Sequence, residues 1–385
     1  MDNEREQPIL FLETSEEYIN ELPTCRIILS VNKVFAITTR GLEPVSADEL
    51  AALPGVTAEQ VAYRRVFASC RESLTSLLGL RTVEDVFLYV DTWSAIGRAR
   101  SALQTLTAMS AQLPLDRFAR VCAQVRSIPQ SPIFSVTVNF VGRRNYSTDE
   151  IKKACADGVI SRQGWTYSED DGAAHLNLRI FIEGENAIVG TRLGERSLSK
   201  RPYKHSHVPG SLKPTVAAAL ASLVGLRPDM QVLDPCCGAG TILIEAQAKQ
   251  AEVWGGDIDL RAVMAARENA AEAGAPVRLQ CWDALSLPVA DHSMDRIISN
   301  LPWGKAVRTT GTLSALYAGI GQEIQRVLAP GGQVALLTNQ PDLVQIPGLK
   351  CEKQIEISLF GQTPTILVWR DDASENGAAL AVHKG

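Results

Sequence analysis

Several things are missing from this 385-residue chain. No stretch reaches about 18 uninterrupted apolar residues, so no membrane-spanning helix is indicated. The opening MDNEREQPIL is polar. It has neither the basic start nor the apolar run of a secretory signal, so no leader is expected. Eight cysteines are scattered and none makes a CxxC pair. We therefore expect no metal site and a reducing, cytoplasmic setting. A surplus of positive charge is absent as well. With a net charge of −5, any binding of nucleic acid has to rest on local charge. What is present is 45% hydrophobic residues and a mean hydropathy of +0.00. That fits a globular protein of two or three domains.

The rest of the chain is organised around Val232-Leu233-Asp234-Pro235-Cys236-Cys237-Gly238-Ala239-Gly240-Thr241. Gln231 to Asp234 reads as a short buried strand, Gly238 to Gly240 as a tight turn, and Thr241 to Lys249 as a helix. This order brings backbone N–H groups to the carboxyl edge of a parallel sheet, where α/β proteins bind ligands. A phosphate-binding P-loop is excluded, because Thr241 and Ile242 follow the second glycine where a Lys is needed. A dinucleotide fingerprint lacks its third glycine, since position 243 is Leu. Two carboxylates narrow the choice. Asp257 ends the next strand (Val253-Trp254-Gly255-Gly256-Asp257) and can accept ribose hydroxyls. Asp234 can take a ligand's ammonium group. Ribose together with an amino-acid ammonium group points to S-adenosylmethionine.

DPCCGAGT, then GGDID, then Trp282-Asp283-Ala284, then Asn300-Leu301-Pro302-Trp303-Gly304 resembles a class I S-adenosylmethionine-dependent methyltransferase. More narrowly, it resembles the THUMP-domain RNA guanine-N2 methyltransferases. The motifs span roughly 205 to 370, and a weaker likeness covers the N-terminal half. The fold this implies is α/β: a Rossmann-like doubly wound sheet preceded by α+β ferredoxin-like and THUMP domains. The expected division is 1–70 ferredoxin-like, 71–195 THUMP-like, 196–214 a basic linker, 215–372 methyltransferase, and 373–385 a flexible tail. The cofactor residues are expected to be Pro209, Ser211, Asp234, Pro235, Cys236, Gly238, Gly240, Thr241, Asp257, Ile258, Asp283, Ala284 and Asn300. Asp283 would accept from the adenine amine. Trp282 either covers the adenine or fills the core.

In the N-terminal half, strands are expected at 9–12, 27–29 and 34–39. A helix is expected from Ser46, with Glu49 completing a capping box. Residues 71–130 read as mostly helical, with a strand near 83–90. Ser135 to Val141 alternates as a strand does, Ser147 caps a helix, and 176–193 forms a hairpin. Between Arg192 and Lys213 there are six Lys/Arg against one acid. The strip is either a solvated linker or a surface that contacts phosphates. The candidate RNA contacts are Arg143, Arg144, Arg196, Lys200, Arg201, Lys204, His205 and Lys305. The family resemblance implies tRNA as the partner, gripped at its acceptor stem and 3′ end. A monomer is expected, and a small activating subunit is left open.

The chemistry falls to Asn300, Leu301, Pro302 and Trp303. An exocyclic base amine is a poor nucleophile because its lone pair is delocalised into the ring. The Asn300 side-chain oxygen and the Leu301 carbonyl can accept its two N–H bonds and aim the lone pair, while Trp303 offers a face for the base. Guanine N2, adenine N6, cytosine N4 and a protein glutamine all fit such a loop. Leu301, with the THUMP-like half, favours guanine N2 in tRNA. The alternatives are ribosomal RNA as substrate, adenine N6 as target, methylation of a protein, and an RNA-binding protein without catalysis.

Overall fold

A computed structural model describes residues 31–303 and 312–371. The strands expected at 9–12 and 27–29, Lys305, and the tail from 373 lie outside the described residues.

The N-terminal elements are β1 (Asn32–Ile37), α1 (Glu43–Ala51), β2 (Val56–Ala62), β3 (Arg65–Cys70), β4 (Asp85–Trp93), α2 (Ala102–Gln112), α3 (Leu115–Cys122), β5 (Ile133–Val141), α4 (Thr148–Gln163), β6 (Thr166–Tyr167), β7 (Leu176–Glu183) and β8 (Asn186–Arg192). They form one eight-stranded sheet in the order β2-β3-β1-β4-β8-β7-β5-β6. β4 pairs with β1 on one side and β8 on the other. The sheet is therefore continuous across position 70, where sequence alone placed a domain boundary. Residues 71–130 are less helical than expected: 74–79 is a short 3-10 helix, and the strand runs to Trp93.

The capping box at Ser46 is a correction. Pro44 occupies the first turn of α1 and Leu42 is its N-cap, a position where proline's missing N–H costs nothing. Ser46 is thus already inside the helix. Glu49 reaches across to accept from the N–H groups of Arg81 (2.9 Å) and Thr82 (2.8 Å). The second capping box is formed as read. Ser147 accepts from Glu150 N, and Glu150 accepts from Ser147 N.

The C-terminal elements are α5 (Pro214–Leu223), β9 (Gln231–Asp234), α6 (Thr241–Gln247), β10 (Glu252–Asp257), α7 (Leu260–Glu272), β11 (Val277–Cys281), β12 (Met294–Asn300), α8 (Leu313–Val327), β13 (Leu328–Thr338), β14 (Lys350–Glu356) and β15 (Thr365–Arg370). The sheet order is β11-β10-β9-β12-β13-β15-β14. Its first five strands are parallel, and β15 is antiparallel to both neighbours. This is the expected doubly wound sheet. Strand order reverses between β9 and β12, and such a reversal opens a crevice at the strands' carboxyl ends. One apolar core covers the α5 and α6 face and another the α8 face. Leu42 and Val45, from the N-terminal half, are part of the first. No helix among the described residues is long and apolar enough to cross a membrane.

Candidate active site

The crevice holds a cavity of about 320 Å³, whose lining includes Asp234, Asp257, Asp283, Asn300, Trp303 and Phe360. Most of the residues expected from sequence are brought together here. Pro209, Ser211, Pro235, Cys236, Gly238, Thr241, Ile258, Ala284, Leu301 and Pro302 all line it. Gly240 does not. Its φ is +75° and a Cβ there would stand 3.0 Å from Ala266 Cβ, so glycine is required for the turn and for seating α6 on α7. Trp282 is a core residue, with its indole N–H donated to Pro235 O at 3.0 Å.

Asp234 ends β9 and is only 1% exposed. One carboxylate oxygen accepts from Ser299 Oγ (2.7 Å) and Cys236 N (3.1 Å). The other is buried without a partner. Burial pushes this carboxyl up to about 7, against the hydrogen bond from Ser299. Such a group is satisfied by a cation. Asp257 ends β10 and accepts one backbone N–H on each oxygen, from Gly238 and Asp259, both at 3.0 Å. Each oxygen keeps a further lone pair for a hydroxyl donor. Asp283 uses Oδ1 for Leu285 N at 2.9 Å. Ile258 is 68% exposed, an apolar side chain on the cavity wall. An ammonium group, a ribose diol and an adenine are what these residues fit, and together they describe S-adenosylmethionine.

Asn300 ends β12. Its Nδ2 donates to Gly210 O at 3.2 Å, and its Oδ1 is buried without a partner. The amide is thereby oriented with its acceptor spare. An orphaned buried acceptor costs about 1–3 kcal/mol unless a ligand supplies a donor. The loop beyond it is fixed by Tyr317, whose hydroxyl donates to Pro302 O at 2.8 Å and meets Thr338 Oγ1 at 2.8 Å. Trp303 is half-buried against the methyltransferase core, and its indole N–H also has no partner.

None of the expected basic residues among those described lines the cavity, and several already have partners elsewhere. Arg201 pairs with the fully buried Glu245 at 3.2 Å and donates to Arg81 O at 2.9 Å. Lys204 donates to Leu212 O, and burial pulls its ammonium down to about 8. Arg144 donates to Tyr146 Oη at 2.9 Å and to the carbonyls of Gly97 and Gly184. These three side chains already have partners within the chain. In the same strip, Arg192 is paired with Asp85 and Lys213 with Glu84. Arg143, Arg196, Lys200 and His205 remain exposed, with His205 3.6 Å from Glu272. Sequence reading missed Ser299 and Phe360. The signal for Phe360 was a Phe-Gly pair at a hairpin end.

Residues 201–358 match the UPF0020 family, an RMKL-like methyltransferase domain. The tRNA (guanine(6)-N2)-methyltransferase of Thermus thermophilus is 32% identical over 344 residues, which span 86% of this chain and 98% of that protein. The ribosomal RNA large subunit methyltransferase K/L of Syntrophotalea carbinolica is 27% identical over 83% of this chain and 51% of its own length. The crystal structure of TrmN from Thermus thermophilus shares the fold with a TM-score of 0.73 at 29% identity, covering 88% of this chain and 99% of TrmN. Matched over almost the full length of the Thermus enzyme, the chain belongs to the S-adenosylmethionine-dependent RNA guanine-N2 methyltransferase family.

Proposed function

We propose that the protein makes N2-methylguanosine in the acceptor stem of tRNA, acting as a monomer. The observation that carries this reading is the spare, buried Asn300 Oδ1 beside Trp303, in the same cavity as Asp234 and Asp257. Methyl transfer to an exocyclic amine needs such an acceptor more than it needs a base.

Asp234 holds the ammonium of the methionine moiety, and Asp257 holds the ribose. Asp283 accepts from the adenine amine and Ile258 covers the ring. Bound S-adenosylmethionine supplies an electrophilic methyl on a sulfonium, which leaves as a neutral thioether. A guanine in a stem first leaves its stack to reach the cavity. Trp303 takes one face of the base. Asn300 Oδ1 and the Leu301 carbonyl accept the two N2–H bonds, which turns the nitrogen lone pair towards the methyl. Tyr317 keeps the Pro302 carbonyl out of that competition and holds the loop in register. The proton released from N2 passes to solvent.

The Thermus relative supports tRNA as the substrate because it matches through the N-terminal half as well as the catalytic half. Ribosomal RNA is the second reading, favoured by the K/L enzyme, which also aligns over both halves. The test is transfer of labelled methyl from S-adenosylmethionine to total tRNA by the purified chain, followed by nucleoside analysis. Label in N2-methylguanosine is the expected result. Label only in ribosomal RNA would move the substrate to the second reading, and label in another nucleoside would overturn the guanine assignment. If tRNA is labelled only when cell extract is added, a small activating subunit is required.

A further inference from the structure

Phe360 is exposed to 62% and lines the cavity that holds Asn300 and Trp303. Its φ is +52°, a left-handed conformation uncommon for a bulky residue. The turn that presents the ring is built firmly. Leu359 and Gln362 exchange backbone hydrogen bonds at 3.0 and 2.9 Å, and Leu359 is buried in the core. Ser358 N donates to Arg40 O at 3.1 Å. Next to Arg40, a Cβ on Gly41 would stand 2.0 Å from Glu356 O, so only glycine allows this approach. The N-terminal half thus holds the end of β14 and the turn that carries Phe360.

We infer that Phe360 is a second aromatic contact for the target base, taking the face or edge that Trp303 leaves uncovered. This rests on the proposed guanine-N2 reading. Trp303 is half-buried against the core. An extruded base held on one side only would keep its own plane free to rock, and the N2 lone pair would lose its aim. Phe360 stands on a different element, beyond β14, and is fixed through Arg40 and Gly41 to the half of the chain expected to grip the RNA. Base capture and RNA docking are therefore set by one rigid connection.

The test compares wild type, Phe360→Ala and Phe360→Trp on an unmodified tRNA transcript, with S-adenosylmethionine affinity measured separately by calorimetry. Phe360→Ala is expected to lower kcat/KM for RNA by about 5- to 150-fold, the range for losing one base–aromatic stack. Cofactor affinity and unfolding temperature should stay at wild-type values, and Phe360→Trp should retain most of the activity. Wild-type turnover by Phe360→Ala would overturn the inference. So would a loss of cofactor affinity in step with the loss of activity, which would make the ring an adenosine contact. A Phe360→Trp variant as poor as Phe360→Ala would do the same. A wild type that labels tRNA only at another nucleoside sinks the guanine reading itself, a result distinct from an active wild type beside an active Phe360→Ala.

Discussion

Asn300 divides its amide between two tasks, and each end can be tested. Nδ2 fixes the side chain on Gly210 O, and Oδ1 waits for a donor. Replacing Asn300 with Ala should lower kcat at least about 100-fold, the scale for losing one preorganised polar contact in a transition state. Cofactor affinity should change little, which steady-state kinetics and calorimetry together will show. Asp234 carries a pH prediction. Its carboxyl is raised from 3.8 to about 7 by burial, so the folded chain favours the protonated form. Its contribution to stability is full below about pH 4 and is lost as pH rises through about 7. A cationic ligand needs the carboxylate. Affinity for S-adenosylmethionine should therefore fall by up to about tenfold per pH unit as pH drops below 7, and Asp234→Asn should bind weakly with no such slope. A flat wild-type profile between about pH 5.5 and 7 would remove Asp234 from the ammonium site. Both residues were legible in the sequence because each closes a strand, and doubly wound sheets put their chemistry at those ends. Phe360 was not legible. Its place depends on a contact with Arg40, which lies more than three hundred positions earlier.

Helix starts show where local patterns suffice and where they do not. Ser147 and Glu150 stand at the spacing of a capping box, and Ser147 has extended backbone (φ −86°, ψ 167°) that suits an N-cap. Ser46 and Glu49 have the same spacing, yet Pro44 begins α1 earlier and both side chains turn to Thr82 instead. The two serines should therefore respond differently. Ser147→Ala should destabilise the N-terminal sheet domain by about 1 kcal/mol in urea unfolding. Introducing Ala at Leu42, the true N-cap of α1, removes no capping hydrogen bond and should act through the core it leaves. Three of the five parallel strands were easy to place, since β9, β10 and β12 each end in Asp or Asn before a loop. The strands at 56–62 and 65–70 were not, because β2 is largely exposed and carries little alternation.

At the scale of the whole molecule, charge that looks available in the sequence is spent on joining the two halves. Glu245 is fully buried on α6, and it accepts from Arg81 Nε (2.6 Å), Tyr203 Oη (2.7 Å) and Arg201 Nε (3.2 Å). Sequence spacing counts Arg201 as one more positive charge in a strip, because its partners lie 44 and 120 positions away. The same holds for Arg144, which meets carbonyls 47 and 40 positions away. Among the described residues, the exposed members of the proposed RNA surface are Arg143, Arg196, Lys200 and His205. Two sets of variants separate these roles. Arg201→Ala removes a partner from a buried carboxylate and should cost about 3 kcal/mol of stability, visible as a lowered unfolding midpoint at any salt concentration. The double change Arg196→Ala with Lys200→Ala should leave the midpoint alone and weaken RNA binding instead. If both residues contact phosphates, the slope of log affinity against log salt should become shallower by about 1.4–1.8 units, from 0.7–0.9 per contact. An unchanged slope would move the docking surface away from the segment between the two sheets and towards Arg143 at the far end of β5.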